Sequence, residues 1–334
     1  MMKPTLYVHC GFPKTGTTSL QNFLKTNQRQ LIERGWLYPN AGIQGWAHHP
    51  YANFFRNEPL DWVDLHNPKT TREALRREIE QEKVDNVIIS SEALISIDRK
   101  KRFRTFFSDF QLRVVIFVRR QDEWIESVYQ EVLKTGADHG LSLESFLKSR
   151  RSSLDYYSVI GSWAEVVDRD GIIVAPFEAS QIPNGIEETF CSLIHLDHDG
   201  LRKPPRRNER LNRACLFFLS NMSDKRRIDK DYFRLRRILQ EHSKRHPDNT
   251  EHRYFSSPKE RIALLEWASE SNANLAREYL GRLDGRLFYE DEPDLSEPWK
   301  PYPGPSSIDL VQIAEALWKE TLRKQGIQRS PPRS

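Results

Sequence analysis

A chain of 334 residues has room for one large domain or two modest ones. With 29% charged residues and a mean hydropathy of −0.69 it has no run of about 18 apolar residues, so no membrane span is predicted. A net charge of +4, small and evenly spread, does not by itself argue for nucleic acid, and no nucleic-acid partner is expected.

The N-terminus lacks the basic, apolar and small-residue succession of a secretory leader. Cys10, Cys191 and Cys215 are scattered and have no metal spacing, so they read as reduced, buried thiols of a cytoplasmic protein. Leu6–Cys10 is short, apolar and rich in β-formers, which predicts a buried strand. Leu20, Phe23 and Leu24 fall on one face of a helix predicted over 20–35, with Gly35 as its C-cap. Between strand and helix lie Gly11, Phe12, Pro13, Lys14, Thr15, Gly16, Thr17, Thr18 and Ser19. A strand, a glycine loop and a helix start make an anion cradle, because the first N–H groups of a helix point at the ligand and its dipole favours negative charge. Gly11 and Gly16 have the spacing of a nucleotide-triphosphate loop, and Thr18 stands at its Ser/Thr position. The lysine of that pattern is replaced by Thr17, and Lys14 supplies an ammonium from inside the loop instead. The hydroxyls of Thr15, Thr17, Thr18 and Ser19 are expected to add donors.

Trp36–Pro39 is predicted to be extended. Residues 40–68 read as a loop with one helix around Tyr51–Phe55, and long aromatic loops beside an anion site carry substrate contacts. A charged helix over 70–83, with Thr70 or Thr71 near its cap, leads to a buried strand over 86–92. A helical pattern over 98–110 precedes the strongest strand, Leu112–Val118. A fourth strand, 172–178, is followed by a helix over 186–194, and Glu178 is expected to be structural. Apolar strands separated by helices imply βαβ units and a parallel sheet. The fold class predicted is therefore α/β, a P-loop-like parallel sheet flanked by helices. A mostly helical C-terminal portion follows. The expected division is a nucleotide-binding core over 1–200 and a helical extension over 201–334. That extension holds a proline-rich connector, 293–305, a last helix over 310–322 and a disordered tail over 329–334. The basic stretch 202–213 (Arg202, Lys203, Arg206, Arg207, Arg210 and Arg213) is either a lid over an anionic ligand or a solvated linker.

Ligands of parallel sheets bind outside the carboxyl ends of the strands. Those ends are Gly11–Thr18, Ser90–Glu92 and Arg119–Arg120. An arginine at a strand end and a serine eight residues on, Arg119 and Ser127, can meet one phosphate through a guanidinium fork and a hydroxyl. Arg120 replaces Arg119 if the strand ends one residue later.

Pro13-Lys14-Thr15-Gly16-Thr17-Thr18 after a strand resembles the 5′-phosphosulfate loop of sulfotransferases that use 3′-phosphoadenosine 5′-phosphosulfate (PAPS). Arg119 and Ser127 resemble the 3′-phosphate site of the same family. The resemblance covers residues 5–195. It implies sulfuryl transfer from PAPS to a hydroxyl or amine without a metal, with Lys14 catalytic and Lys14, Thr15, Gly16, Thr17, Thr18, Ser19, Arg119 and Ser127 binding the donor. Related enzymes use a histidine or glutamate near the donor as base, which here leaves His48, Glu92 and His49 open. His48 and His49 have the better intrinsic pKa, and Glu92 needs burial to raise its own. Trp46, Tyr51, Phe54 and Phe55 would suit stacking on a sugar ring and would equally fill a core, so a glycan or glycolipid is the first expectation for the acceptor. The sequence leaves the oligomeric state open. The competing readings are a nucleotide kinase or NTPase, against which the missing lysine argues, and a non-catalytic nucleotide-binding module.

Overall fold

The computed structural model describes residues 3–135, 142–205, 211–222, 230–248, 252–253, 255, 257–296 and 300–324. The chain divides into two compact units. The first comprises Met1–Trp124, Arg150–Arg206 and Leu264–Glu292; the second comprises Ile125–Ser149, Arg207–Ala263 and Pro293–Ser334.

The first unit is built on β1 (Thr5–His9), β2 (Trp36–Leu37), β3 (Asn86–Ser90), β4 (Gln111–Val118) and β5 (Ile172–Pro176). All pair in parallel, in the order β2-β3-β1-β4-β5. The order reverses between β1 and β4: β1 leads toward β2 and β3, β4 toward β5. A crevice opens at such a switch point, beyond the carboxyl ends of the two strands. The β1 ladder runs past its last residue, since Cys10 N donates to Val115 O (3.1 Å) and Phe12 N to Phe117 O (3.3 Å).

The helices of the first part of the chain are α1 (Thr17–Thr26), α2 (Gln28–Ile32), α3 (His49–Phe54), α4 (Pro68–Glu82), α5 (Lys100–Phe106) and α6 (Gln121–Thr135). They are followed by α7 (Leu143–Arg150), α8 (Tyr156–Ala164) and α9 (Ile186–Leu193). Leu20, Phe23 and Leu24 of α1 and Phe190 and Cys191 of α9 pack on Ile88, Val115 and Phe117 of the sheet. Alternation turns Val114, Ile116 and Val118 to the other face, where they are equally buried. Burial on both faces explains why these strands read as unbroken apolar runs. A second packing centre joins Tyr51, Phe54 and Phe55 to Phe103 and Phe107, with ring centroids 4.8–6.4 Å apart.

The predicted helix 20–35 differs in two ways. It starts at Thr17, directly on the glycine loop, and it breaks at Asn27. There the Asn27 amide donates to Phe23 O and Arg202 O, which favours a turn over a further helical step. The cap of α4 is Asn67, whose side chain accepts from the N–H groups of Lys69 and Thr70, so Thr70 and Thr71 lie inside the helix. Pro68 follows at the first position, where the missing N–H costs nothing. Glu178 is structural, and it has partners the sequence does not show: its carboxylate accepts from the backbone N–H groups of Tyr289 and Glu290. The three cysteines are buried free thiols.

In the second unit α10 (Arg213–Ser220), α11 (Lys230–Arg245) and α13 (Ser307–Lys324) share an apolar core of Leu211, Leu216, Leu219, Leu239 and Ile313. Between the last two in sequence comes α12 (Pro258–Leu280), which belongs to the first unit from Leu264 onward. Two short strands, β6 (His252–Arg253) and β7 (Lys300–Pro301), pair in parallel. Of the basic stretch, Arg206, Arg207 and Arg210 lie outside the described residues, as does the tail 329–334. Lys203 is paired with Glu188. No helix among the described residues is long and apolar enough to cross a membrane.

Candidate active site

The glycine loop joins β1 to α1 through two left-handed residues, Lys14 at φ +67° and Gly16 at φ +77°. At Gly16 a side chain is impossible without displacement, because a Cβ would sit 2.9 Å from Phe177 Cε2 and 3.2 Å from Ile186. Gly11 is confined in the same way, its absent Cβ falling 2.9 Å from His9 Nε2. Left-handed residues close together turn successive N–H groups to one side and make an anion-binding concavity. Among the described residues the N–H groups of Gly16, Thr17 and Thr18 meet no protein acceptor, and α1 has no side-chain cap and no acidic residue in its first turn. These orphan donors sit where an anion complements the helix dipole.

The hydroxyls behave differently from expectation. Thr15 is buried and donates inward to Phe12 O (2.6 Å), which closes the loop on itself. Ser19 donates to the Glu187 carboxylate. Thr17 is buried as well, and Thr18 is exposed on the first turn. The loop therefore offers an anion its backbone, Lys14 and Thr18.

Arg119 and Arg120 directly follow β4 and are not equivalent. Arg120 is enclosed: its guanidinium forks onto Asp122 (2.9 and 3.1 Å) and donates to Asp291 O (2.7 Å). Arg119 keeps 26% of its side chain exposed and pairs with Glu123 at 3.0 Å. The alternative assignment to Arg120 is thereby corrected, since that guanidinium is committed to the fold. Ser127 is half-buried on α6 and belongs to the second unit.

The three candidate bases lie near the end of β3. His48 is fully buried, donates from Nε2 to Pro39 O (2.9 Å) and accepts at Nδ1 from Ser90 N (3.2 Å). Burial brings its pKa down to about 3, and both ring nitrogens are used, so His48 holds the 39–48 loop to β3 and has nothing left for a substrate. His49 pairs through Nδ1 with Ser91 Oγ (2.8 Å). Its pKa is lowered by burial, against an upward pull from Glu92. Glu92 accepts from Gln21 Nε2 (2.9 Å), a side chain of α1, so the helix that opens the anion cradle also orients this carboxylate. Tyr51, Phe54 and Phe55 fill the aromatic packing centre and are withdrawn from any stacking role. Trp62, exposed at 56%, stands edge-on to His49 with centroids 4.9 Å apart.

Gln21, Ser91 and Trp62 escaped sequence reasoning because each acts through a partner distant in the chain. A further link escaped it for the same reason: Trp124 Nε1 donates to Pro13 O (2.8 Å) across 111 residues.

No family model matches the sequence. A curated relative, an uncharacterized protein of Archaeoglobus fulgidus, is 26% identical over 211 residues, which make up 62% of this chain and 57% of that protein. The chain thus spans little more than half the length of the curated relative it matches. Among solved structures, a sulfotransferase from Alicyclobacillus acidocaldarius superposes with a TM-score of 0.48 at 13% identity, covering 85% of this chain and 98% of that one. The sulfotransferase domain from the curacin biosynthetic pathway gives 0.38 at 11% identity, covering 60% and 76%. Neither likeness is close enough to assign an activity.

Proposed function

We propose that the chain is a sulfotransferase that binds PAPS at the carboxyl edge of its sheet and passes the sulfuryl group to a hydroxyl or amine. The observation that carries this reading is the adjacency of the two anion sites. The Lys14 loop follows β1 and Arg119 follows β4, and these strands are parallel neighbours, so both sites stand on one edge, at the switch point. The backbone cradle suits the 5′-phosphosulfate, and the partly exposed Arg119 suits the 3′-phosphate. The glycine loop and Arg119, which supply these contacts, both belong to the first unit.

In the reaction the acceptor oxygen or nitrogen bonds to sulfur, its proton goes to a base, and the bond from sulfur to the 5′-phosphate oxygen breaks. The electron pair ends on that phosphate. The N–H groups of Gly16–Thr18 and the Lys14 ammonium stabilise the charge that develops there. Glu92 is the proposed proton acceptor, held by Gln21, with His49 beside it. Trp62 offers the acceptor a flat apolar surface, which keeps a carbohydrate first among acceptor classes.

Calorimetry decides between this reading and a nucleotide kinase. Adenosine 3′,5′-bisphosphate is expected to bind at least tenfold more tightly than ATP with magnesium, and Lys14→Ala and Arg119→Ala each to weaken it by tenfold or more. With PAPS and a panel of glycans, phenols and amines, Glu92→Gln should lower turnover by about 10²–10⁴ while leaving bisphosphate affinity in place. Preference for ATP, or full turnover in Glu92→Gln, overturns the corresponding part of the proposal.

A further inference from the structure

Phe12, Trp124 and Tyr156 form a buried aromatic group beneath the proposed donor site, exposed at 2%, 3% and 0%. Phe12 lies 4.7 Å from Tyr156 and 6.0 Å, edge-on, from Trp124, measured between ring centroids. Two polar atoms leave this group, and each ends on a backbone carbonyl. Trp124 Nε1 donates to Pro13 O (2.8 Å), one residue before Lys14. Tyr156 Oη donates to the carbonyl of Arg119 itself (2.6 Å).

Carbonyls at these two places control more than themselves. A peptide unit is planar and trans, so the carbonyl of one residue and the N–H of the next point in opposite directions. With Pro13 O held on the indole, the N–H of Lys14 is aimed away from it, and Lys14 is kept in a left-handed conformation unusual for a residue with a side chain. With Arg119 O held on the phenol, the backbone from which the guanidinium projects is fixed in the same manner. Phe12 packs against both rings and its N–H continues the ladder to Phe117 O. A single rigid body therefore sets the positions of Lys14 and Arg119 relative to each other.

We infer that Trp124 and Tyr156 are positioning residues that set the spacing between the two anion sites, and so select a nucleotide carrying anions at both ends of its ribose. The inference rests on the function proposed above and adds what fixes the register of that grip. A ligand with one anion tolerates a shift between the sites, whereas a ligand that bridges them does not. The rings themselves are buried and touch no ligand; they act through Pro13 and Arg119.

The readout is the affinity advantage of adenosine 3′,5′-bisphosphate over adenosine 5′-monophosphate, measured by calorimetry. Trp124→Phe removes the N–H donor, and Tyr156→Phe removes only a hydroxyl. Each should shrink that advantage about tenfold, mainly by weakening the bisphosphate. Tyr38→Phe is the matched control: Tyr38 is as buried and donates to Trp46 O at the same 2.6 Å, remote from the nucleotide loops in sequence. It should leave the advantage within twofold of the unaltered protein. If Trp124→Phe does not fold, Tyr156→Phe decides alone. An advantage kept within twofold in the folded variants, or lost equally in Tyr38→Phe, overturns the inference and leaves the proposed function standing. An unaltered protein with no preference for the bisphosphate removes the proposed function and this inference together.

Discussion

At Gly16 the backbone is left-handed, and the space where a Cβ would stand is taken by Phe177 and Ile186. Conformation and packing thus demand the same residue. Gly16→Ala is expected to destabilise the protein by about 1–3 kcal/mol, the cost of a strained φ, with more added if the aromatic ring cannot retreat. Urea unfolding measures this, and a loss below about 0.5 kcal/mol would mean that the loop relaxes freely. Lys14, at a similar φ, retains its side chain despite the cost of that conformation, which fits a place where the ammonium is used. The two neighbouring histidines show how far one residue step can separate roles. His48 points into the protein and bonds backbone at both nitrogens, while His49 reaches Ser91 at the margin of the site.

Among the elements, α1 connects the most functions. Its N-terminus opens the anion cradle, Gln21 holds Glu92, and Leu20, Phe23 and Leu24 bury it against the sheet. Its start is left uncapped, in contrast to α4, where Asn67 satisfies two N–H groups. Other helices, α5 and α9 among them, also start without a side-chain cap, so what marks α1 is the preceding loop with both Lys14 and Gly16 left-handed. Asn67→Ala should cost about 1 kcal/mol, read as a lowered urea midpoint with an unchanged slope. Because α4 lies away from the loop in the chain and makes no contribution to the cradle, nucleotide affinity should not follow; a parallel loss of bisphosphate binding would show that α4 supports the site after all.

For the molecule as a whole, two fully buried histidines govern behaviour in mild acid. Burial brings His9 and His48 each down to about 3, against 6.5 for an accessible ring. Between those values the unfolded chain binds a proton on each ring and the folded one does not. Stability therefore rises with pH across this window: it is full above about 6.5 and is lost as pH falls toward 3. Going from pH 7 to pH 5 should cost on the order of 1–2 kcal/mol per histidine. Urea unfolding at the two pH values tests this, and His48→Gln should remove one of the two contributions. A stability independent of pH between 5 and 7 would show that these rings titrate normally.

The sequence by itself determined the strands, the glycine loop and the parallel arrangement. Strands buried on both faces must be apolar throughout, and the residues of a tight left-handed turn are few, so both leave local signatures, as in Val114–Val118 and Gly11–Gly16. The caps, the break at Asn27 and the choice among His48, His49 and Glu92 were not legible. Each depends on a hydrogen-bond partner brought close by folding, such as Arg202 for Asn27, Pro39 and Ser90 for His48, and Gln21 for Glu92. Strand order belongs to the same class. Only the tertiary structure decided that β1 lies between β3 and β4, and hence that Lys14 and Arg119, more than a hundred positions apart, stand on one edge. Apolar patterning records how deeply a residue is buried, while pairing between distant segments is settled by the packing of the whole chain.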